Sequence, residues 1–155
     1  NQPFTLLASE SFKLEFGRGS GRYGLETISL NQKGQVTLFR INTSPKYHWE
    51  STHIKIPAHS VDQIVDHINK QKITQMAKSY HLVGVCDGTQ WVMSIKQGDN
   101  SKSIYFNNHF PAQIRSIANF IDVELKNAGL SRSQWQPVSI SDHRTHDKAL
   151  WNSIH

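Results

Sequence analysis

YHLVGVCDGTQWVMSIKQGDNSKSIYFNNHFPAQIRSIANFIDVEL, residues 80–125, carries the pattern that decides the fold. Residues 82–86 read as a strand, and Asp87-Gly88 supplies the backbone freedom of a tight hairpin turn. That turn pairs the strand with residues 90–96, where Trp91, Met93 and Ile95 share one face. Gly98-Asp99-Asn100 turns the chain again, and residues 103–107 complete an antiparallel meander. Pro111 then opens a helix in which Ile114, Ile117, Ala118, Ile121 and Leu125 recur at helical spacing, with Gly129 suited to its stop.

Working toward the N-terminus, Phe12, Leu14 and Phe16 alternate with Lys13 and Glu15, the period of two that half-buries a strand. Gly17-Arg18-Gly19-Ser20-Gly21-Arg22 reads as a glycine-rich connection to a second strand over residues 25–30. Residues 31–34 form a hairpin turn with Asn and Gly at its ends. In the third strand, residues 36–41, Val36 and Leu38 face one side and Phe39 and Ile41 the other, as a central strand requires. Thr52, Ile54 and Ile56 mark a fourth strand. Val61, Ile64, Val65 and Ile68 then form the apolar stripe of a helix, with Ser60 and Gln63 spaced as a capping box.

The element order is ββββ-α-βββ-α. It predicts an α+β fold: a two-layer antiparallel sheet of about six or seven strands, with two amphipathic helices on one face. Residues 1–130 are expected to form this single domain. Residues 131–155 read as a polar C-terminal tail with a short helix from about residue 145. Trp135, Leu150 and Trp151 point to docking of that tail, because disordered tails rarely carry tryptophan.

At 155 residues and 37% hydrophobic, the chain supports one buried core. No run of about 18 apolar residues occurs, so no membrane span is expected. The net charge of +5 is diluted along the chain, whereas nucleic-acid binders concentrate theirs on a stripe. Cys86 is the only cysteine, which excludes an internal disulfide, and it reads as a buried core residue. Asn1-Gln2-Pro3 fits the residues left by leader removal, so an exported or periplasmic location is expected over a cytoplasmic one. The oligomeric state is not legible.

Two segments carry binding chemistry. Ser44-Pro45-Lys46-Tyr47-His48-Trp49-Glu50 places Tyr47, His48 and Trp49 between two strands, where rigid aromatic rings suit partner contact. The plainer reading folds Trp49 back to close the sheet edge. In the glycine-rich connection, Arg18 and Arg22 offer guanidinium forks beside free backbone N–H groups, suited to phosphate or carboxylate. No P-loop or dinucleotide spacing accompanies them, and solvated arginines are the plainer reading. The expected binding set is Tyr47, His48, Trp49, Arg18, Arg22 and Lys46.

Catalytic signatures are missing: there is no Gly-x-Ser-x-Gly, Ser-x-x-Lys or His-Glu-x-x-His. Asp62 and Asp66 fall on a solvated helix face, and Asn107-Asn108-His109 reads as a helix cap. Within Asp142-His143-Arg144-Thr145-His146-Asp147, a helix would pair Asp142 with His146 and His143 with Asp147 on different faces. That falls short of a zinc ligand set, so a solvated tail is expected and neither metal nor cofactor is. The expectation is a non-enzymatic module that binds another protein, as an inhibitor or immunity-type partner does. The alternative is nucleic-acid binding through Arg18, Arg22, Lys13 and Lys46, with Tyr47 and Trp49 stacking on bases. A small hydrolase built on His48, His109 or Cys86 ranks below both.

Overall fold

A computed structural model describes residues 2–20, 22–84 and 88–155. Eight strands form one sheet: β1 (Lys13–Ser20), β2 (Gly24–Asn31), β3 (Gln35–Asn42), β4 (His48–Lys55), β5 (Ser79–His81), β6 (Gln90–Gln97), β7 (Asn100–Asn107) and β8 (Gln136–Val138). Three helices accompany them: α1 (Ala58–Lys70), α2 (Ala112–Asn127) and α3 (Ile140–Asn152). The strand order is β5-β7-β6-β1-β2-β3-β4-β8, antiparallel except where β5 runs parallel to β7. The α+β class therefore holds, with eight strands in place of six or seven and a third helix.

Alternation along the strands sorts the two faces. Leu14, Phe16, Ile28, Leu30, Met93 and Ile95 meet the stripes of α1 and α2, in which Val61, Ile64, Val65, Ile68, Ile114, Ile117, Ile121 and Leu125 are all buried. Between the helices, His67 stacks on Phe120 at 4.6 Å and its Nε2 lies 2.8 Å from Ser116 Oγ. Ahead of β1, two amide side chains tie the chain down. Asn69 bonds the N–H and C=O of Leu6 at 3.0 and 2.9 Å, and Gln97 bonds those of Leu7 at 2.9 and 2.8 Å. The backbone groups beside buried Leu6 are thereby satisfied without a strand partner.

The glycine-rich connection is mostly strand. β1 continues through Ser20, and its glycines serve close approach. A Cβ on Gly17 would fall 2.6 Å from Leu150 Cδ2, and one on Gly19 would fall 2.3 Å from the Gly24 carbonyl oxygen. The capping box does not form either. Pro57, with φ preset at −65°, begins α1 without a side-chain cap, and Ser60 is buried with its N–H on the Pro57 carbonyl at 3.0 Å.

The strand expected over residues 82–86 is displaced to β5, which pairs with β7. Strand β6 already has β1 on one edge and β7 on the other, leaving no edge for a further neighbour. Leu82 N–H reaches the Asn107 carbonyl at 3.0 Å, while the Leu82 and Val83 side chains are exposed. Val85, Cys86 and the Asp87 half of the expected turn lie outside the described residues.

The C-terminal segment is part of the fold. β8 adds to the edge of β4, with Trp49 opposite Val138 and Ser51 opposite Gln136. α3 starts at Ile140, ahead of the expected position, because Ser139 Oγ accepts the Asp142 N–H at 3.0 Å and caps it. It lies on the sheet face opposite α1 and α2, where Leu150 joins Leu25 and Val92 in a second small core bordered by Tyr105 and Trp151. Among the described residues no helix is long and apolar enough to cross a membrane.

Candidate functional site

Antiparallel pairing gathers the β1–β2 turn, the β3–β4 loop, residues 82–84 and residues 88–89 at one end of the sheet. Tyr47 Oη donates to the Tyr23 carbonyl at 3.2 Å, joining the first two. Beside them lies a cleft of about 550 Å³, walled by Arg18, Tyr23, Glu26, Ile41, Tyr47 and Thr89. Tyr23 is 56% exposed and Tyr47 50%, so both rings stand outside any core. Local hydrogen bonds hold them there. Ser20 Oγ accepts the Tyr23 N–H at 3.1 Å, Asn42 Oδ1 accepts the Ser44 N–H at 3.0 Å, and His48 Nδ1–H donates to the Lys46 carbonyl at 2.7 Å.

Beneath the loop, Glu50 is buried yet charged. Arg40 Nε lies 2.8 Å and Asn42 Nδ2 3.2 Å from its Oε1, and His48 Nε2 lies 3.5 Å from Oε2. Burial pushes this carboxyl up, but the hydrogen bonds of Arg40 and Asn42 with the Arg40 charge outweigh it, holding its pKa below the ordinary value. Arg40 in turn lies 3.8 Å over the Trp135 ring. His48 thus has one ring nitrogen on a carbonyl and the other facing Glu50.

The arginines divide. Arg18 grips Asp122 through two hydrogen bonds of 2.8 and 2.7 Å and lies 5.0 Å over the Phe16 ring, so its fork is occupied and it serves as a wall of the cleft. Arg22 is exposed, 5.2 Å over the Tyr23 ring, and Lys46 is exposed beside Tyr47.

Trp49 turns away from the loop surface. β4 already begins at His48, which places Trp49 in the ladder opposite Ile41 and on the α3 face. It is 4% exposed and stacks on His143. The histidine cluster is likewise not a solvated tail. His143, His146, Asp147 and Leu150 fall at i, i+3, i+4 and i+7 and face the sheet. Asp147 Oδ1 accepts the Leu25 N–H at 3.0 Å and His143 Nε2 lies 3.3 Å from the Leu25 carbonyl, where β2 and β3 have separated. His146 stacks on Phe39 at 4.8 Å, and its buried Nε2 has no hydrogen-bond partner, with Glu15 Oε2 3.8 Å away. Burial pulls both imidazoles below their ordinary pKa. The Leu25 carbonyl and Asp147 oppose this at His143, and Glu15 opposes it at His146. Among the described residues no three His, Cys, Asp or Glu side chains converge as metal ligands.

His109 is exposed and meets Tyr80 edge-on at 5.7 Å. Of the six expected binding residues, the structure brings Tyr47, Lys46, Arg22 and Arg18 to one end and withdraws Trp49. It adds Tyr23, Leu82, Val83 and Ile140, all exposed at that same end. Tyr23 had a signal in the sequence, since it stands between Gly21 and Gly24 in the glycine-rich connection. No family model matches the chain, and no curated protein aligns with it.

Proposed function

We propose that the protein is a non-enzymatic binding module that captures another protein with the loop end of its sheet, as an inhibitor or immunity-type partner does. The observation that carries this reading is the Tyr47–Tyr23 bridge, which ties the Tyr47 ring to the neighbouring turn and so sets two exposed aromatic residues from separate loops beside an open cleft. Tyrosine buries large area with few rotors, so a pair held in place loses little entropy on contact. Leu82 and Val83 beyond β5, and Ile140 beyond β8, are further exposed apolar side chains at that end, and Arg22 and Lys46 give the tyrosine pair a basic rim suited to an acidic partner face.

The test is photo-crosslinking in extracts of the native source, with a benzophenone amino acid at Lys46, beside Tyr47, and, as control, at Asp99 on the opposite end of the sheet. One stoichiometric protein adduct from position 46 alone is expected. It should disappear on adding Tyr23→Ala while the melting temperature holds. Equal adducts from both positions would overturn the reading. Single-stranded nucleic acid retained with a steep salt dependence would turn it to the alternative.

A further inference from the structure

α3 covers only the loop-end half of the second sheet face. The other half is a cleft of about 800 Å³ lined by Lys13, Lys33, Lys55 and His53 with Asn31, Gln35 and Thr37, and among the described residues no carboxylate lines it. We propose that this open half binds an anionic polysaccharide, a sugar chain carrying uronate or sulfate groups.

Three observations converge. First, Lys13 and Lys96 sit directly opposite each other on β1 and β6, a like-charge pair that costs the sheet stability and gains a use if an anion bridges it. Nearby, Glu15 lies 3.4 Å from Lys13 on the same sheet face, toward α3 and outside the lining of the cleft. Second, Lys55 on β4 lies three strand steps from Lys13, roughly 14 Å across the sheet. Cations spread that far suit a chain bearing several charges better than a single small anion. Third, amides and hydroxyls make up much of the polar lining, and these are the groups that pair with sugar hydroxyls. Phe12 is 4% exposed, which leaves the His53 imidazole, 3.0 Å from Thr37 Oγ1, as the exposed ring of the lining, a smaller platform than the successive aromatics on which single-stranded nucleic acid stacks.

The experiment is calorimetric titration of the whole chain with a heparin-derived hexasaccharide, and with a DNA oligonucleotide of equal charge. Lys13→Gln with Lys55→Gln should weaken hexasaccharide binding by about tenfold or more. Lys70→Gln with Lys72→Gln, exposed beyond the cleft, should leave it unchanged. Lys96→Glu should also weaken binding while the melting temperature stays at or above that of the native chain, because the new carboxylate faces Lys13; that separates lost binding from lost folding. No binding of the hexasaccharide at physiological salt overturns the proposal. So does equal loss in the Lys70/Lys72 control, or DNA binding as tight as sugar binding.

Discussion

The indole of Trp49 and the imidazole of His143 stack with ring centroids 3.3 Å apart and planes 11° from parallel, joining β4 to α3. They close over Gly24, whose φ is +94° and where a Cβ would lie 3.1 Å from His143 Cε1 and 3.2 Å from Trp49 Cζ2. The stack thus needs glycine beneath it for both space and backbone conformation.

Trp49→Ala and Tyr47→Ala should therefore behave oppositely, although the two residues are neighbours but one. Emptying the Trp49 site should cost about 3–5 kcal/mol in denaturant unfolding. Removing the half-exposed Tyr47 ring should change stability by less than about 1 kcal/mol while abolishing capture of the partner in a pull-down. Equal stability losses would place Tyr47 in the core.

Acid should loosen the α3 contact. His143 faces Trp49, the Leu25 carbonyl and Asp147; His146 faces Glu15, Lys13, Phe39, His143 and Asp147. Both imidazoles titrate below 6.5 when folded and near 6.5 when unfolded, so the unfolded chain takes up protons first. Stability is then full above that value and falls as pH drops through the window beneath it. The melting temperature should decline from about pH 7 to about pH 5, and the decline should shrink in His143→Gln/His146→Gln. An equally steep decline in that variant would assign the effect to other groups.

Gly17→Ala places a methyl 2.6 Å from Leu150 Cδ2 and 2.9 Å from Leu25 Cδ1. Overpacking of this kind should cost about 1–3 kcal/mol. Leu150→Ala should cost less in the Gly17→Ala background than in the native chain, since it opens the space the new methyl needs. A double-mutant cycle reads that coupling directly, and strict additivity would contradict the contact.

On the main core, Ile64→Ala or Ile68→Ala should each cost about 2–5 kcal/mol, both side chains being 1% exposed. Limited proteolysis should leave residues 131–155 attached to the native protein, because β8 and α3 hold them by ladder bonds and buried contacts. Rapid clipping near Ser131 would contradict that docking.

The sequence discloses whichever elements carry their apolar residues at a clean period. α1 and α2 were legible because every stripe position is Ile, Val, Leu or Ala. α3 was not, because three of its four inward positions are His143, His146 and Asp147, polar groups paired with the sheet, leaving Leu150 as the one apolar mark. The start of β4 was hidden for a related reason. His48 and Glu50 face the helix layer as a buried ionic network, so apolar alternation becomes visible only from Thr52. That shifted Trp49 into the loop. The meeting of Tyr23 and Tyr47 follows from a meander, in which alternate turns share an end. The parallel docking of β5 depends on which edges remain free, a property of the assembled sheet.

Leu25 receives both its backbone partners from α3, 122 residues along the chain to Asp147 and 118 to His143. Where β2 and β3 part, α3 takes the place of a neighbouring strand, offering a carboxylate for the amide and an imidazole for the carbonyl. A helix that supplies the missing rungs of a ladder is bound to the sheet by more than its apolar side.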